Sequence, residues 1–69
     1  MAVQIFGKDS CPYTMAAVDD YKAKDPSAEY LNVKRDPIAL ARMLELTGGG
    51  RRVPVIVENG KVTIGYGGT

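Results

Sequence analysis

The chain has a single cysteine, Cys11, placed where a thiol would be reactive. It follows a short apolar stretch and a loop, and Pro12 directly after it suits the first position of a helix. Free N–H groups and the positive end of the helix dipole at such a position favour a thiolate over a thiol. Lys8, on the preceding loop, adds positive charge nearby. A thiolate in this setting attacks disulfides, so these residues predict thiol–disulfide exchange.

A structural role is the alternative for the same cysteine, because free cysteines are among the most buried residues. Its place between Ser10 and Pro12, at a loop–helix junction rather than within an apolar stripe, favours the reactive interpretation. The chain has no histidine and no second cysteine. An internal disulfide and the usual four-ligand Cys/His zinc site are therefore excluded within one chain.

The elements that must position Cys11 follow the order β-α-β-α-β-β. We predict strands over Val3–Phe6, Tyr30–Val33, Val53–Val57 and 62–64 (or to Tyr66), and helices from Pro12 to about Lys24 and from Pro37 to the glycines at 48–50. A helix between the first two strands implies that they are parallel. Asn59-Gly60 predicts an antiparallel hairpin between the last two. The third strand is apolar at successive positions, which is typical of a central strand covered on both faces.

Length and composition indicate one small globular domain over residues 1–69, and the order of its elements makes it an α/β domain. The chain is 45% hydrophobic and its net charge is +1, so it lacks the excess of basic residues that is typical of nucleic-acid-binding proteins. No apolar stretch approaches the length of a membrane span, and the first residues do not resemble a secretory signal. A free thiol without such a signal predicts a reducing, cytoplasmic setting.

Three segments resemble the glutaredoxin family. Residues 8–14 (KDSCPYT) are similar to its active-site segment, Lys-x-x-Cys-Pro-Tyr-Cys. Val53-Pro54, ahead of an apolar strand, resembles the family's Thr-Val-Pro motif, in which the proline is cis and faces the cysteine. Residues 65–68 (GYGG) resemble the glycine-rich turn after its last strand. The resemblance covers nearly the whole chain and implies a thioredoxin-like fold, with a four-stranded mixed sheet and helices on both faces.

The resemblance also implies a glutathione site. In the family, the lysine before the cysteine contacts the glycyl carboxylate of glutathione, and the valine before the cis-proline binds its cysteinyl part. An aromatic residue lines the groove, and the turn after the last strand holds the γ-glutamyl end. The matching positions are Lys8, Tyr13, Val53, Pro54, Gly67 and Gly68. Arg51 and Arg52 could add positive charge near the thiolate or a glutathione carboxylate, and we favour Arg52.

Three departures from the family pattern are visible. Thr14 replaces the second cysteine, so Cys11 would act alone as a monothiol. Arg52 stands where the family usually has threonine. The turn lacks the usual Asp-Asp pair, and the third helix that normally follows is absent before Thr69. Its absence predicts exposed apolar surface on one face of the sheet, which could be a dimer contact, so we expect a monomer or a weak dimer.

The sequence therefore predicts an enzyme, a monothiol glutaredoxin-like oxidoreductase with Cys11 as nucleophile. Glutathione would be its co-substrate, no cofactor would be tightly bound, and its partners would be thiol or disulfide proteins. One alternative is a [2Fe–2S] carrier, in which Cys11 and a glutathione thiol from each half of a dimer ligate the cluster. Cluster-binding members usually carry Gly-Phe after the cysteine, where this chain has Pro12-Tyr13. Another alternative is a non-catalytic binding module with the same fold.

Overall fold

A four-stranded mixed sheet forms the centre of the protein. The computed structural model describes residues 3–68. Within that range the elements are β1 (Val3–Gly7), α1 (Pro12–Lys24), β2 (Glu29–Asn32), α2 (Pro37–Thr47), β3 (Val55–Glu58) and β4 (Lys61–Ile64). The sheet order is β2-β1-β3-β4, with β1 and β2 parallel and the other neighbours antiparallel. The predicted β-α-β-α-β-β order and the central position of the third strand are confirmed.

The core lies on both faces of this sheet, because successive residues of a strand point to opposite sides. An α1-face cluster is formed by Val3, Ile5, Ala17, Ala28 and Ile56. An α2-face cluster on the other side is formed by Phe6, Val33, Ala39, Met43 and Val55. Both β1 and β3 contribute to the two clusters, which is why these two strands are almost entirely apolar. The predicted placement of helices on both faces is confirmed.

The ends of the elements follow from local chemistry. Asp36 caps α2 by accepting hydrogen bonds from the backbone N–H groups of Ile38 (2.9 Å) and Ala39 (3.3 Å). Gly48, with φ 69°, ends the helix in the left-handed conformation that glycine adopts without strain. Asn59 and Gly60, with φ 53° and 83°, make the hairpin turn. The third strand begins at Val55 rather than at Val53 as predicted, since Pro54 has no N–H for the strand ladder.

The exposed apolar surface that was predicted on one sheet face is not present at the centre of that face. Ile56, the β3 residue of the α1-face cluster, is only 2% exposed. Tyr66, just after β4, packs against that cluster, and its ring centroid lies 6.1 Å from that of Tyr21. The hydroxyl of Tyr66 donates a hydrogen bond to Asp20 on α1. Thr63, which pairs with Ile56 across the strands and shares its face, is exposed but polar.

Candidate active site

One edge of the sheet gathers the segments that the sequence singled out. The carboxyl end of β1 pairs with the carboxyl end of β2 (Gly7 with Asn32) and with the start of β3 (Phe6 with Val55). Val55 in turn pairs with Ile64 at the end of β4. The loop that carries Cys11 leaves β1 at this edge, and the residues before β3 and after β4 adjoin it. The topology therefore places the three resembling segments side by side.

Cys11 is the N-cap residue of α1, with an extended backbone (φ −98°, ψ 112°). Its N–H donates to the carbonyl of Lys8 at 3.2 Å, and its side chain makes no capping hydrogen bond. The residue is 9% exposed, yet it belongs to neither core cluster. Cys11 is therefore buried at the start of α1 but lies outside the two apolar clusters.

The surroundings of Cys11 lower the pKa of its thiol. The hydroxyl of Thr14 has the largest effect; the backbone N–H groups of Thr14 and Tyr13 and the charge of Lys8 add to it, while burial opposes them. The helix start and the lysine are the features on which the sequence prediction rested. Thr14 is a functional candidate that the sequence analysis regarded only as a missing cysteine. No signal in the sequence would have identified it, because its burial depends on the close approach of Gly7 on β1.

Thr14 is fully buried at the junction of α1 and β1. Its exposed fraction is 0%, and its Oγ1 has no hydrogen-bond partner among residues 3–68. Gly7 of β1 leaves the space that the side chain fills, since a Cβ on Gly7 would lie 2.5 Å from Thr14 Oγ1. The absence of a side chain at Gly7 thus allows β1 to approach the first turn of α1 closely.

The cis-proline loop, the glycine-rich turn and Tyr13 lie against one another. The Val53-Pro54 peptide bond is cis, as predicted, and Pro54 is buried. The carbonyl of Pro54 accepts a hydrogen bond from the N–H of Gly65 at 2.8 Å, which ties the cis-proline loop to the glycine-rich turn. Tyr13 is 42% exposed. A Cβ on Gly67 would lie 3.5 Å from its ring and one on Gly68 3.6 Å, so the ring lies against this turn.

A basic pocket opens beside this groove. It has a volume of about 260 Å³ and is lined by Lys8, Val33, Lys34, Leu40, Met43, Arg51 and Val53. Three of these side chains are cationic and none is acidic, so the pocket is suited to an anionic group. It brings together Lys8 and Val53, which the sequence predicted, but it includes Arg51 and not Arg52, which was favoured. Lys34 was missed, although its place directly after a strand that ends at the site edge would have pointed to it.

The loop before Cys11 is fastened to the sheet by a side-chain contact. The hydroxyl of Tyr30 on β2 donates to Asp9 Oδ1 at 2.8 Å. Burial, followed by the contact with Asp9, raises the pKa of Tyr30, so the phenol remains a proton donor. This contact holds the loop between Lys8 and Cys11 against β2.

The described part of the chain holds neither a cluster of metal ligands nor a membrane-spanning helix. No three His, Cys, Asp or Glu side chains within residues 3–68 lie together as a metal-binding group. Neither α1 nor α2 has the length and apolar character that crossing a membrane requires.

Comparison with known proteins decides the family. The family model described as Glutaredoxin matches residues 3–63. The chain belongs to the glutaredoxin family. No curated protein sequence matches this glutaredoxin. Glutaredoxins as a family are thiol–disulfide oxidoreductases, and membership supports that general type of function here.

Solved structures share the fold of this glutaredoxin. The thioredoxin-like protein BC3987 is 23% identical, with a TM-score of 0.81, over 94% of this chain and 88% of its own. A glutaredoxin from Archaeoglobus fulgidus is 20% identical, with a TM-score of 0.79, over 94% of this chain and 75% of its own. At these identities the comparison establishes the thioredoxin-like fold, as the resemblance implied.

Proposed function

We propose that this protein is a monothiol glutaredoxin that exchanges glutathione on thiols in a reducing, cytoplasmic setting, with Cys11 as nucleophile. The observation that carries the proposal is the position of Cys11 at the α1 N-cap, where its pKa is lowered, next to a pocket of cationic side chains. A thiolate provides the nucleophile and the pocket provides a site for the carboxylates of glutathione.

The proposed reaction has two exchange steps. The Cys11 thiolate attacks the glutathione sulfur of a glutathionylated thiol, the original S–S bond breaks, and the released thiolate takes a proton from solvent. The thiolate of a second glutathione then attacks the glutathione sulfur bound to Cys11. Oxidised glutathione leaves, and the electron pair of the broken bond returns to Cys11. The second thiol must come from outside, because the chain has no other cysteine.

The pocket and the groove divide the binding of glutathione between them in this proposal. Lys8 and Arg51 on the pocket wall would hold the glycyl carboxylate, so the role that the sequence analysis favoured for Arg52 passes to Arg51. Val53, next to the cis-proline, would bind the cysteinyl part through its backbone. The γ-glutamyl end would lie along Tyr13 and the turn containing Gly67 and Gly68.

The test is mass spectrometry of the intact protein after incubation with oxidised glutathione. We expect one glutathione adduct on the wild type and none on Cys11→Ser. Arg51→Gln should form the adduct roughly fivefold more slowly, since an exposed charge pair contributes up to about 1 kcal/mol. Arg42→Gln is the matched control, because Arg42 is an exposed α2 residue outside the pocket. Failure of the wild type to form the adduct would refute the proposal.

A further inference from the structure

The loop before Cys11 carries two opposite charges side by side. Lys8 and Asp9 are neighbours in the sequence, and both lie within three residues of Cys11. Lys8 lines the basic pocket, and Asp9 does not. Opposite charges attract and like charges repel, so a carboxylate free to enter this pocket would pair with its cations and repel an anionic ligand. The position of Asp9 therefore affects what the pocket can bind.

The two charges are directed to opposite faces of the sheet. The pocket lies on the α2 side, since Val33 and Met43 of its lining belong to the α2-face cluster. Asp9 instead accepts a hydrogen bond, at 2.8 Å, from the hydroxyl of Tyr30 on β2. Leu31, the next residue of β2, packs against the α2-face cluster, so Tyr30 faces the α1 side. The Tyr30 side chain therefore holds the carboxylate of Asp9 on the face opposite the pocket.

Contacts on either side of Lys8 hold the loop against β2. Before it, the carbonyl of Gly7 accepts a hydrogen bond from the N–H of Val33 at 2.9 Å, and Val33 lines the pocket. After it, the carboxylate of Asp9 is held by Tyr30. The two contacts keep Lys8 at the pocket wall while its acidic neighbour is turned toward the other face.

We infer that Tyr30 is a positioning residue that keeps the charge of Asp9 out of the basic pocket, so that the site around Cys11 favours anionic reaction partners. A phenol suits this role because it donates to a carboxylate without adding a charge of its own. Burial and the contact with Asp9 raise the pKa of Tyr30, so the hydroxyl keeps its proton. Without the hydroxyl, Asp9 loses this partner and its charge is free to reach Lys8.

The consequence for thiol exchange rests on the proposed function. Oxidised glutathione carries carboxylates in both of its halves, and the pocket is proposed to hold one of them. A released Asp9 would pair with Lys8 or repel that carboxylate, and either effect would slow formation of the adduct at Cys11. Tyr30 therefore supports selectivity for glutathione by acting through Asp9.

The experiment compares two alkylating reagents on Cys11, the anionic iodoacetate and the neutral iodoacetamide, at low ionic strength. In both reactions the thiolate attacks the carbon that bears iodine, a C–S bond forms, and iodide leaves with the electron pair of the C–I bond. The thiolate fraction cancels from the ratio of the two rates, so the ratio of iodoacetate to iodoacetamide reports the charge around the thiol. We expect this ratio to fall about two- to fivefold in Tyr30→Phe, the size of an exposed charge interaction.

A second substitution shows whether the released charge is the cause. Asp9→Asn in the Tyr30→Phe background should return the ratio to at least the wild-type value. Asp19→Asn in the same background is the matched control, because Asp19 is an exposed carboxylate of α1, and it should not restore the ratio. An unchanged ratio in Tyr30→Phe would overturn the inference. So would a reduced ratio that Asp9→Asn does not restore, which a displaced loop alone would produce.

Folding and the proposed function are checked separately. Tyr30→Phe keeps the ring, and thermal unfolding shows whether it folds. Asp9→Asn in the wild-type background requires no change at Tyr30; it should alter the ratio by less than about twofold, because the charge of Asp9 is already held away. A larger rise would contradict the inference. Neither reagent is glutathione, so a wild type that forms no glutathione adduct would refute the proposed function and leave the role of Tyr30 to be decided by the ratios.

Discussion

The charge on Cys11 is controlled by neighbours in its own helix turn more than by the lysine that precedes it. Sequence reasoning identified the helix start and Lys8, yet Lys8 is the weakest of the influences that lower the pKa of Cys11 and the Thr14 hydroxyl is the strongest. A motif comparison treats Thr14 as a lost cysteine. Its burial depends on the backbone of β1 passing close to it, and this three-dimensional contact is not visible in the spacing of residues.

The lowered pKa of Cys11 predicts how stability depends on pH. A thiol whose pKa is lower in the folded than in the unfolded state stabilises the fold fully above the unfolded value, about 8.5. That contribution is lost as the pH falls through the folded pKa. Urea unfolding of the wild type and Cys11→Ala at a series of pH values measures this effect. As the pH rises from the folded pKa of Cys11 to the unfolded one, we expect the free energy of unfolding of the wild type to increase relative to that of Cys11→Ala.

Thr14→Val is the matched variant for this pH dependence. The pKa of Cys11 in its folded state should rise toward the unfolded value, so the pH range over which the free energy of unfolding changes should begin at a higher pH and be narrower. A difference between wild type and Cys11→Ala that stays constant with pH would contradict a lowered thiol pKa.

The contact between β1 and α1 connects the structural elements to the site. Gly7→Ala would place a Cβ 2.5 Å from Thr14 Oγ1, against a branched side chain that is held by its own helix turn. We expect a loss of about 1–3 kcal/mol in the free energy of unfolding, the usual range for overpacking, and a slower alkylation of Cys11. Chemical denaturation and the alkylation rate measure the two effects.

Gly50→Ala is the control for that substitution. Its Cβ would meet no atom closer than 3.4 Å, and Gly50 is not among the glycines with positive φ. We expect a gain of about 0.4–1 kcal/mol in the free energy of unfolding, because an unstrained glycine-to-alanine replacement mainly restricts the unfolded chain. Equal losses in the two variants would show that the Gly7–Thr14 contact has no special importance.

The elements themselves were largely predictable, since their ends carry strong local signals. Asp36-Pro37 begins α2, the glycines at 48–50 end it, and Asn59-Gly60 turns the hairpin. The errors arose where tertiary structure decides. Ile38 is apolar and yet 79% exposed, because α2 turns Ala39 and Met43 toward the sheet.

At the scale of the whole molecule, the fold could be predicted from the sequence, but the packing of Tyr66 on the α1 face of the sheet could not. The resemblance implied a missing helix and therefore an open apolar surface. It gave no indication that Tyr66 would return to α1, a contact between residues 46 positions apart. Such a long-range contact depends on the path of the chain after β4. That segment is short and rich in glycine, so it has no repeating pattern of apolar residues from which its path could be predicted.

Tyr66 therefore provides a test of how the α1 face of the sheet is closed. Tyr66→Ala removes the ring that packs against the α1-face cluster and against Tyr21, so Ile56 should become exposed to water. We expect the melting temperature to fall by 5 °C or more, on the order of what 1 kcal/mol produces in a domain of this size. Tyr66→Phe keeps the ring and loses only the hydrogen bond to Asp20, so its melting temperature should fall by much less.

If Tyr66→Ala leaves both the melting temperature and the binding of a hydrophobic dye unchanged, the closure of this face does not depend on Tyr66. We also expect Tyr66→Ala to self-associate more than the wild type in sedimentation, because the newly exposed apolar surface would favour contact between copies of the chain.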